Sequence, residues 1–178
     1  MDAPPVVVAY DPQWPAVFEL LRSRADAALA DVPHMTEHVG STAVPGLASK
    51  PIIDMDVVVP AERAVWPAIA ALSAAGWRHE GDLGIPGREA LRPSPDAVYH
   101  HLYVVVAGSR AHRDHTDLRD FLRAHPGHAA RYGQLKQRLA GLLETNRPGY
   151  VSGKAEMITE LLREARRRDP TARLPETH

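Results

Sequence analysis

One short stretch, residues 52–59, constrains the fold more than any other part of the chain. Isoleucine and valine fill most of it and Pro51 and Pro60 bound it, a composition typical of a buried strand. Asp54 and Asp56 interrupt it, and residues two apart on a strand project from the same face, with Cβ atoms roughly 6 to 7 Å apart. Neighbouring buried carboxylates repel each other unless a cation binds them. We therefore predict that both aspartates bind Mg²⁺ or Mn²⁺, which prefer oxygen ligands.

A glycine and a serine precede this strand. Gly40 and Ser41 lie between a predicted short strand, Met35–Val39, and a predicted tight turn or single helical turn at 43–48. Glycine lets a backbone approach a phosphate group closely, and a helix N-terminus directs N–H groups toward an anion. The pair is thus a predicted phosphate-binding turn. Taken singly, a Gly-Ser pair is also typical of an ordinary turn, and an Asp-x-Asp pair of a salt-bridged or solvated strand end.

The two motifs together resemble the signature of the nucleotidyltransferase (polymerase-β-like) superfamily. The segment from Glu37 to Asp54 more narrowly resembles the hallmark of the GrpB-like family. The likeness extends over nearly the whole chain, through Asp11-Pro12-Gln13-Trp14, Leu118-Arg119-Asp120-Phe121-Leu122-Arg123-Ala124-His125-Pro126, Tyr132, Leu135-Lys136, Tyr150 and Lys154. It implies an α+β fold, with a small mixed β-sheet of nucleotidyltransferase type, packed helices and a C-terminal helical bundle.

Hydrophobic periodicity predicts the order of the elements. Strands are predicted at 35–39, 52–59, 77–81, 88–92 and 99–106. Helices are predicted at 11–31, 64–75, 109–124, 127–145 and 152–168, with Arg147-Pro148-Gly149 as a break between the last two. We expect a core at 1–107, a helical bundle at 108–168 packed on it as one unit, and a polar, frayed tail at 169–178.

Composition limits the possible partners. The 178 residues are 44% hydrophobic and 24% charged, with a net charge of −1, which is ordinary for a globular protein and provides no general basic surface for nucleic acid. Cysteine is absent, which excludes disulfides and thiolate chemistry. No signal-peptide pattern and no apolar run of about 18 residues occurs. The sequence therefore predicts a cytoplasmic protein that does not bind a membrane, and it disfavours a nucleic-acid partner unless charge is locally segregated.

His101 and Tyr103 share one face of the predicted strand 99–106. The resemblance implies that this strand lies beside the aspartate strand, so that one of the two side chains points toward the metal. Many superfamily members have a third carboxylate on such a strand, and this chain has none. His101 is therefore a candidate ligand or base, since imidazole titrates near neutral pH; the alternative is a structural histidine. Four other histidines are predicted to be solvated: His112, His115, His125 and His128.

Lysine is rare in this chain. Only Lys50, Lys136 and Lys154 occur among 21 basic residues, which favours sites where a compact point charge is required, although each is also compatible with a solvated surface position. The resemblance implies that Arg119 and Tyr150 accompany them. These five residues are predicted to bind substrate phosphates, and Arg123 is a further candidate cation. Across a cleft, the aspartates are predicted to face Arg119, Lys136, Tyr150 and Lys154.

The resemblance implies metal-dependent transfer of a nucleoside monophosphate from a nucleoside triphosphate to an unidentified small acceptor, with pyrophosphate leaving. Asp54, Asp56 and His101 would be the catalytic residues. One alternative is a nucleotide- or phosphometabolite-binding module that has lost catalysis, accessory to coenzyme A synthesis because GrpB-like domains occur fused to dephospho-CoA kinase. The other is a structural or partner-binding domain whose two aspartates are salt-bridged.

Overall fold

A mixed β-sheet forms the centre of the computed structural model, which describes residues 6–168. Its strands are β1 (Met35–Val39), β2 (Ile53–Val59), β3 (Arg78–Gly81), β4 (Arg88–Arg92) and β5 (His100–Val106). Their spatial order is β1-β2-β5-β4-β3, with β2 and β5 parallel and the other pairs antiparallel. The predicted α+β class with a small mixed sheet is confirmed.

Six α-helices surround the sheet within the described residues: α1 (Trp14–Ala28), α2 (Val65–Ala74), α3 (Arg110–Ala124), α4 (Pro126–Leu139), α5 (Leu142–Thr145) and α6 (Arg147–Arg168). Short 3₁₀ turns occur at Ser41–Ala43 and Glu62–Ala64. None of the helices in this part of the chain is long and apolar enough to cross a bilayer. The predicted tail at 169–178 lies outside the described residues.

The two faces of the sheet have different neighbours. Met55, Val57 and Val59 of β2 project toward α1 and α2, where they join the largest buried cluster. The alternate residues Asp54 and Asp56 project from the opposite face. The C-terminal helices cover that side, with a second apolar cluster formed by residues of α3, α4, α6 and the loop after β1. The aspartates therefore lie between the sheet and the helical bundle.

The predicted break between the last two helices occurs at Asn146, directly after α5 ends at Thr145, and Arg147-Pro148-Gly149 form the first turn of α6. Proline is compatible with the first turn of a helix, where its missing N–H would have no intrahelical partner. Asn146 caps this turn, since its Oδ1 accepts a 3.0 Å hydrogen bond from the Gly149 N–H. The chain also departs from a regular helix at residues 140–141, between α4 and α5, so the predicted helix 127–145 is two helices.

The long helix α6 is fixed against α3 near its C-terminal end. Arg166 pairs with Asp114 and donates a 3.0 Å hydrogen bond from Nε to Asp117. The N-terminal half of α6 carries Tyr150 and Lys154, and the attachment of its other end helps to position them over the aspartate face.

Candidate functional site

The sheet register aligns the predicted catalytic side chains in two rows. Asp54 lies between Val39 of β1 and His101 of β5. Asp56, two residues further along β2, lies between Glu37 and Tyr103 in the same way. Both aspartates therefore project from the same face, and two aromatic side chains of β5 take the neighbouring positions.

Each aspartate contacts a histidine. His101 Nδ1 lies 2.7 Å from Asp54 Oδ1, so His101 points toward Asp54. His115 of α3 has Nδ1 2.9 Å from both oxygens of Asp56. The prediction that His115 is solvated is wrong. The other three histidines predicted to be solvated are also only partly exposed and have polar neighbours: Glu37 for His112, the Phe121 carbonyl for His125 and Glu164 for His128.

The Asp56–His115 pair is buried. The Asp56 side chain has no solvent exposure, and burial raises the pKa of its carboxyl group. Burial alone would lower the pKa of His115, but the hydrogen bond to Asp56 outweighs it, and the pKa of His115 is raised. Both shifts favour a proton shared by this pair, and a protonated His115 would neutralise a carboxylate that is otherwise costly to bury.

Gly40 brings the backbone against Asp54. Its φ of +71° lies in the left-handed region that favours glycine. A Cβ built on Gly40 would meet the Asp54 carboxylate, with the Asp54 Cβ only 2.9 Å away. Both the conformation and the available space therefore require glycine at the turn between β1 and Ser41.

We expect Gly40→Ala to destabilise the fold by about 1 to 3 kcal/mol, because alanine must adopt a positive φ and displace Asp54. Urea denaturation of the purified protein measures the change. Gly46→Ala is the matched control, since Gly46 also has a positive φ, of +79°, but a Cβ there meets nothing within 4 Å. A loss equal to that of the control would show that contact with Asp54 contributes nothing.

The three lysines form one cluster beside the Gly40–Ser41 turn. Lys136 is buried, and its Nζ donates a 2.9 Å hydrogen bond to Ser41 Oγ. Lys50 and Lys154 share one aromatic neighbour, with Nζ atoms 5.8 and 4.4 Å from the centre of the Tyr150 ring. Side chains of α4, of α6 and of the segment before β2 thus meet beside the turn that contains Ser41.

The amines of this lysine cluster lack carboxylate partners. Within residues 6–168 none of the three forms an ion pair. Burial and the nearby charge of Lys154 lower the pKa of Lys136 to about 7. Burial and the charge of Lys50 lower the pKa of Lys154 to about 8, and burial also lowers the pKa of Lys50. Such a group of desolvated cations is typical of a binding or catalytic site for an anion.

A cavity of about 290 Å³ connects the turn, the aspartate face and the helices. Five of the ten predicted site residues line it: Gly40, Ser41, Asp54, Arg119 and Lys154. The other five lie outside its lining: Lys50, Asp56, His101, Lys136 and Tyr150. Lys136 contacts the cavity lining through Ser41 and Tyr132, and Asp56 contacts it through His115.

Arg119 has a structural role in this arrangement. Its Nη1 donates hydrogen bonds to Glu37 Oε2 at 2.8 Å and to the His38 carbonyl at 3.1 Å, and its Nε donates to Asp120 at 2.7 Å. His112 and Arg119 together lower the pKa of Glu37 to about 2. Arg119 therefore holds β1 against α3, and its charge is largely neutralised by these acids of the protein itself.

Two basic residues that line the cavity, His115 and Arg88, were not predicted from the sequence to be site residues. A signal for His115 exists, because Ala111, His115, Leu118 and Leu122 are spaced four, three and four residues apart and so share one helix face. Arg88 has no comparable signal. It lies on a short strand whose alternation does not show which face meets the helices.

The two carboxylates differ in how they could hold a divalent cation. Asp54 lines the cavity, and within the described residues its hydrogen bond to His101 uses only Oδ1. Asp56 is bound through both oxygens to His115. No group of three or more His, Asp or Glu side chains in residues 6–168 is arranged to hold a metal. The donor set fits an ion whose coordination is completed by phosphate and water oxygens, as is usual for Mg²⁺, and coordination by Asp56 stays a prediction.

Curated proteins similar to this chain are mostly longer. UPF0157 protein YqkA of Bacillus subtilis (strain 168) is 32% identical over 161 residues, which are 90% of this chain and 47% of that protein. The chain spans 65% of the related UPF0157 protein PA4798 of Pseudomonas aeruginosa, with 34% identity and 88% of this chain covered. A dephospho-CoA kinase of Mycolicibacterium paratuberculosis is 36% identical over 78 residues, 42% of this chain and 19% of that protein.

A solved structure matches over nearly the full length. The crystal structure of conserved protein GrpB from Enterococcus faecalis has a TM-score of 0.81 and 31% sequence identity, and the match covers 92% of this chain and 98% of that one. The family model described as GrpB protein matches residues 4–164. The resemblance inferred from the sequence motifs is confirmed, and the chain belongs to the GrpB family.

Proposed function

We propose that the cavity binds the polyphosphate of a nucleoside triphosphate together with Mg²⁺, and that the chain transfers the nucleoside monophosphate to a small acceptor. The observation that carries this proposal is the convergence of all three lysines on the Gly40–Ser41 turn opposite Asp54. The motif resemblance to nucleotidyltransferases adds the reaction type, with pyrophosphate as the leaving group.

The charges of the site suit a polyphosphate. A nucleoside triphosphate carries about four negative charges, and hydrogen bonds between ionised groups are the strong ones. The lysine cluster provides three amines that form no ion pair within residues 6–168, although the more distant charge of Asp54 acts on all three. Ser41 Oγ and the amines of Lys136 and Lys154 would bind the β- and γ-phosphates. A bound anion would raise the lowered pKa values of both lysines, so binding would recover the free energy lost on burying them.

Asp54 would hold the cation. We propose that Asp56 holds it as well. When bound, the cation would neutralise part of the charge at the α-phosphate. His101 would orient Asp54 through the 2.7 Å contact with Oδ1. Catalysis at such a site would come mainly from positioning and charge neutralisation.

A second candidate is a nucleotide- or phosphometabolite-binding module without turnover. The positions on β5 beside the aspartates hold His101 and Tyr103, so a third acid is absent there, and Asp56 is already bound to His115. The partial match to a dephospho-CoA kinase favours an accessory role near coenzyme A synthesis. A cytoplasmic location, which suits either function, is also a proposal.

Calorimetry with ATP and Mg²⁺, followed by a pyrophosphate assay with pooled small metabolites as acceptors, tests both candidates. We expect the wild type to bind ATP more tightly with Mg²⁺ than without it. Asp54→Ala should lose this increment, about 10- to 100-fold, since a carboxylate contact to a bound ion is lost. Asp96→Ala, which removes an exposed carboxylate, is the control.

The outcomes separate the candidates. Binding with pyrophosphate release supports the transferase. Binding without release in any pool supports the module. Failure of the wild type to bind ATP would overturn the transferase, and failure to bind either ATP or the pooled metabolites would overturn both candidates and leave the structural or partner-binding alternative.

A further inference from the structure

Arg88 of β4 is a cation of this cavity that the proposed nucleotide site leaves unused. Its guanidinium carbon lies 4.4 Å from the centre of the Tyr103 ring, and it lines the cavity. Within the described residues its Nε is buried without a hydrogen-bond partner. The acids nearest to Arg88 along the β3–β4 pair form ion pairs with other residues: Glu89 pairs with His79, and Glu80 pairs with Arg92. A buried donor of a charged group without a partner is costly, so an anion that accepts a hydrogen bond from it would stabilise this end of the cavity.

The sheet register separates Arg88 from the lysine cluster. Arg88 pairs with Val105 of β5, and Val105 pairs with Val58 of β2. Val58 is four residues from Asp54 on the same face, which is about 13 Å along the strand. The Gly40–Ser41 turn follows Val39, which pairs with Asp54. The lysine cluster and Arg88 thus lie toward opposite ends of the sheet face that carries Asp54 and Asp56.

The row between these two ends holds Asp56 and Tyr103. His115 contacts Asp56 and lies 5.5 Å from Tyr103, measured between ring centres. A triphosphate at the lysine cluster would therefore extend its α-phosphate toward Asp54, and the Arg88 end would be free for a second molecule. Contact with the Tyr103 ring limits the motion of the guanidinium, which favours planar, two-point recognition of a carboxylate or phosphate.

We infer that the Arg88 end of the cavity is the acceptor site, and that the acceptor is a small molecule carrying an anionic group, a phosphate monoester or a carboxylate. This inference rests on the proposed function and adds the chemical class of the acceptor. The anion binds the guanidinium of Arg88, and the remainder of the acceptor extends past His115 toward Asp54.

Calorimetric titration of inorganic phosphate into protein saturated with Mg²⁺ and a non-hydrolysable ATP analogue tests the inference. The wild type should bind phosphate, and Arg88→Gln should weaken this binding about tenfold or more, since charge-assisted hydrogen bonds are lost. Arg88→Lys should retain part of it. Arg92→Gln, an exposed arginine on the same strand that pairs with Glu80, should leave it unchanged. A parallel titration with acetate distinguishes a carboxylate from a phosphate site, and thermal unfolding verifies that each variant is folded.

Two results would overturn the inference: phosphate and acetate affinities that are the same in Arg88→Gln as in the wild type, or a loss of affinity for the ATP analogue as large as the loss for phosphate. The second result would assign Arg88 to the nucleotide. If the analogue does not bind to the wild type, the proposed function fails. Phosphate titration of the free protein then still tests Arg88, since one class of phosphate site should disappear in Arg88→Gln and a different one in Lys136→Met.

Discussion

Lys136→Met should weaken binding of tripolyphosphate or ATP by about 10- to 100-fold, which corresponds to the loss of a hydrogen bond to a charged group. The same substitution should leave stability at pH 7 unchanged or higher, because methionine fills similar space and removes an ammonium group that is buried without a carboxylate partner. A substitution that raises stability and lowers affinity is typical of a residue that serves binding and destabilises the folded state.

The pH dependence gives a second readout. With its pKa lowered to about 7, Lys136 in the free protein loses its proton as the pH rises through neutrality, so wild-type affinity for tripolyphosphate should fall between pH 7 and pH 9. In the unfolded chain the amine stays protonated up to its ordinary pKa of 10.5. Wild-type stability should therefore gain from this group as the pH rises above 7, and Lys136→Met should lack that gain.

Arg138→Met is the matched control for Lys136→Met, because it removes an exposed cation from the same helix, α4. Calorimetry and urea denaturation at pH 7 and pH 9 measure both quantities. Equal affinities in Lys136→Met and Arg138→Met would contradict the assignment of Lys136 to the anion site.

His115→Leu should destabilise the protein by about 3 to 5 kcal/mol, because it leaves the wholly buried carboxylate of Asp56 without its partner. The loss should shrink in acid. When burial raises the pKa of a carboxyl group, the free energy of unfolding is unaffected at a pH below the ordinary pKa of the group and falls as the pH rises above that value. Urea denaturation should therefore show a smaller loss of stability in His115→Leu at pH 4 than at pH 8. The double variant Asp56→Asn/His115→Gln should recover much of the stability, since two amides can hydrogen-bond without charge.

His128→Leu serves as the comparison for His115→Leu, because the two histidines are similarly exposed but Glu164, the partner of His128, keeps contact with solvent, and an ion pair in contact with solvent contributes less. If the two single variants lost equal stability, the burial of the Asp56–His115 pair would have no energetic consequence. That result would also weaken the view that His115 orders the middle of the cavity.

Much of the fold could be predicted from local patterns. β2 and β5 are dense in β-branched residues, and the two-residue alternation of a strand is sufficient to assign Asp54 and Asp56 to one face of β2. The scarcity of lysine indicated a role for Lys136, whose contact with Ser41 joins residues 95 positions apart. Here composition and motif spacing carried information about distant parts of the chain.

The remainder of the site depends on packing that no local pattern determines. The sequence of α3 has charged residues on most sides, and its orientation is fixed by contacts such as His115 with Asp56 and Arg119 with Glu37. Arg88 faces the cavity because of the pairing of β4 with β5. The misplaced helix break has a different origin, since a proline such as Pro148 is compatible both with the end of one helix and with the start of the next.

The lysine cluster has a practical consequence for chemical labelling. Because no lysine of this chain is a freely exposed surface residue, an amine-selective acylating reagent would meet, apart from the α-amino group, only the partly exposed amines of Lys50 and Lys154 near the Ser41 turn, since Lys136 is buried. Their depressed pKa values leave more of the nucleophilic free base at neutral pH than an ordinary surface amine has. Mass spectrometry would thus report acylation at this one site. Candidate ligands could be screened by whether they protect these lysines from acylation, without knowledge of the reaction.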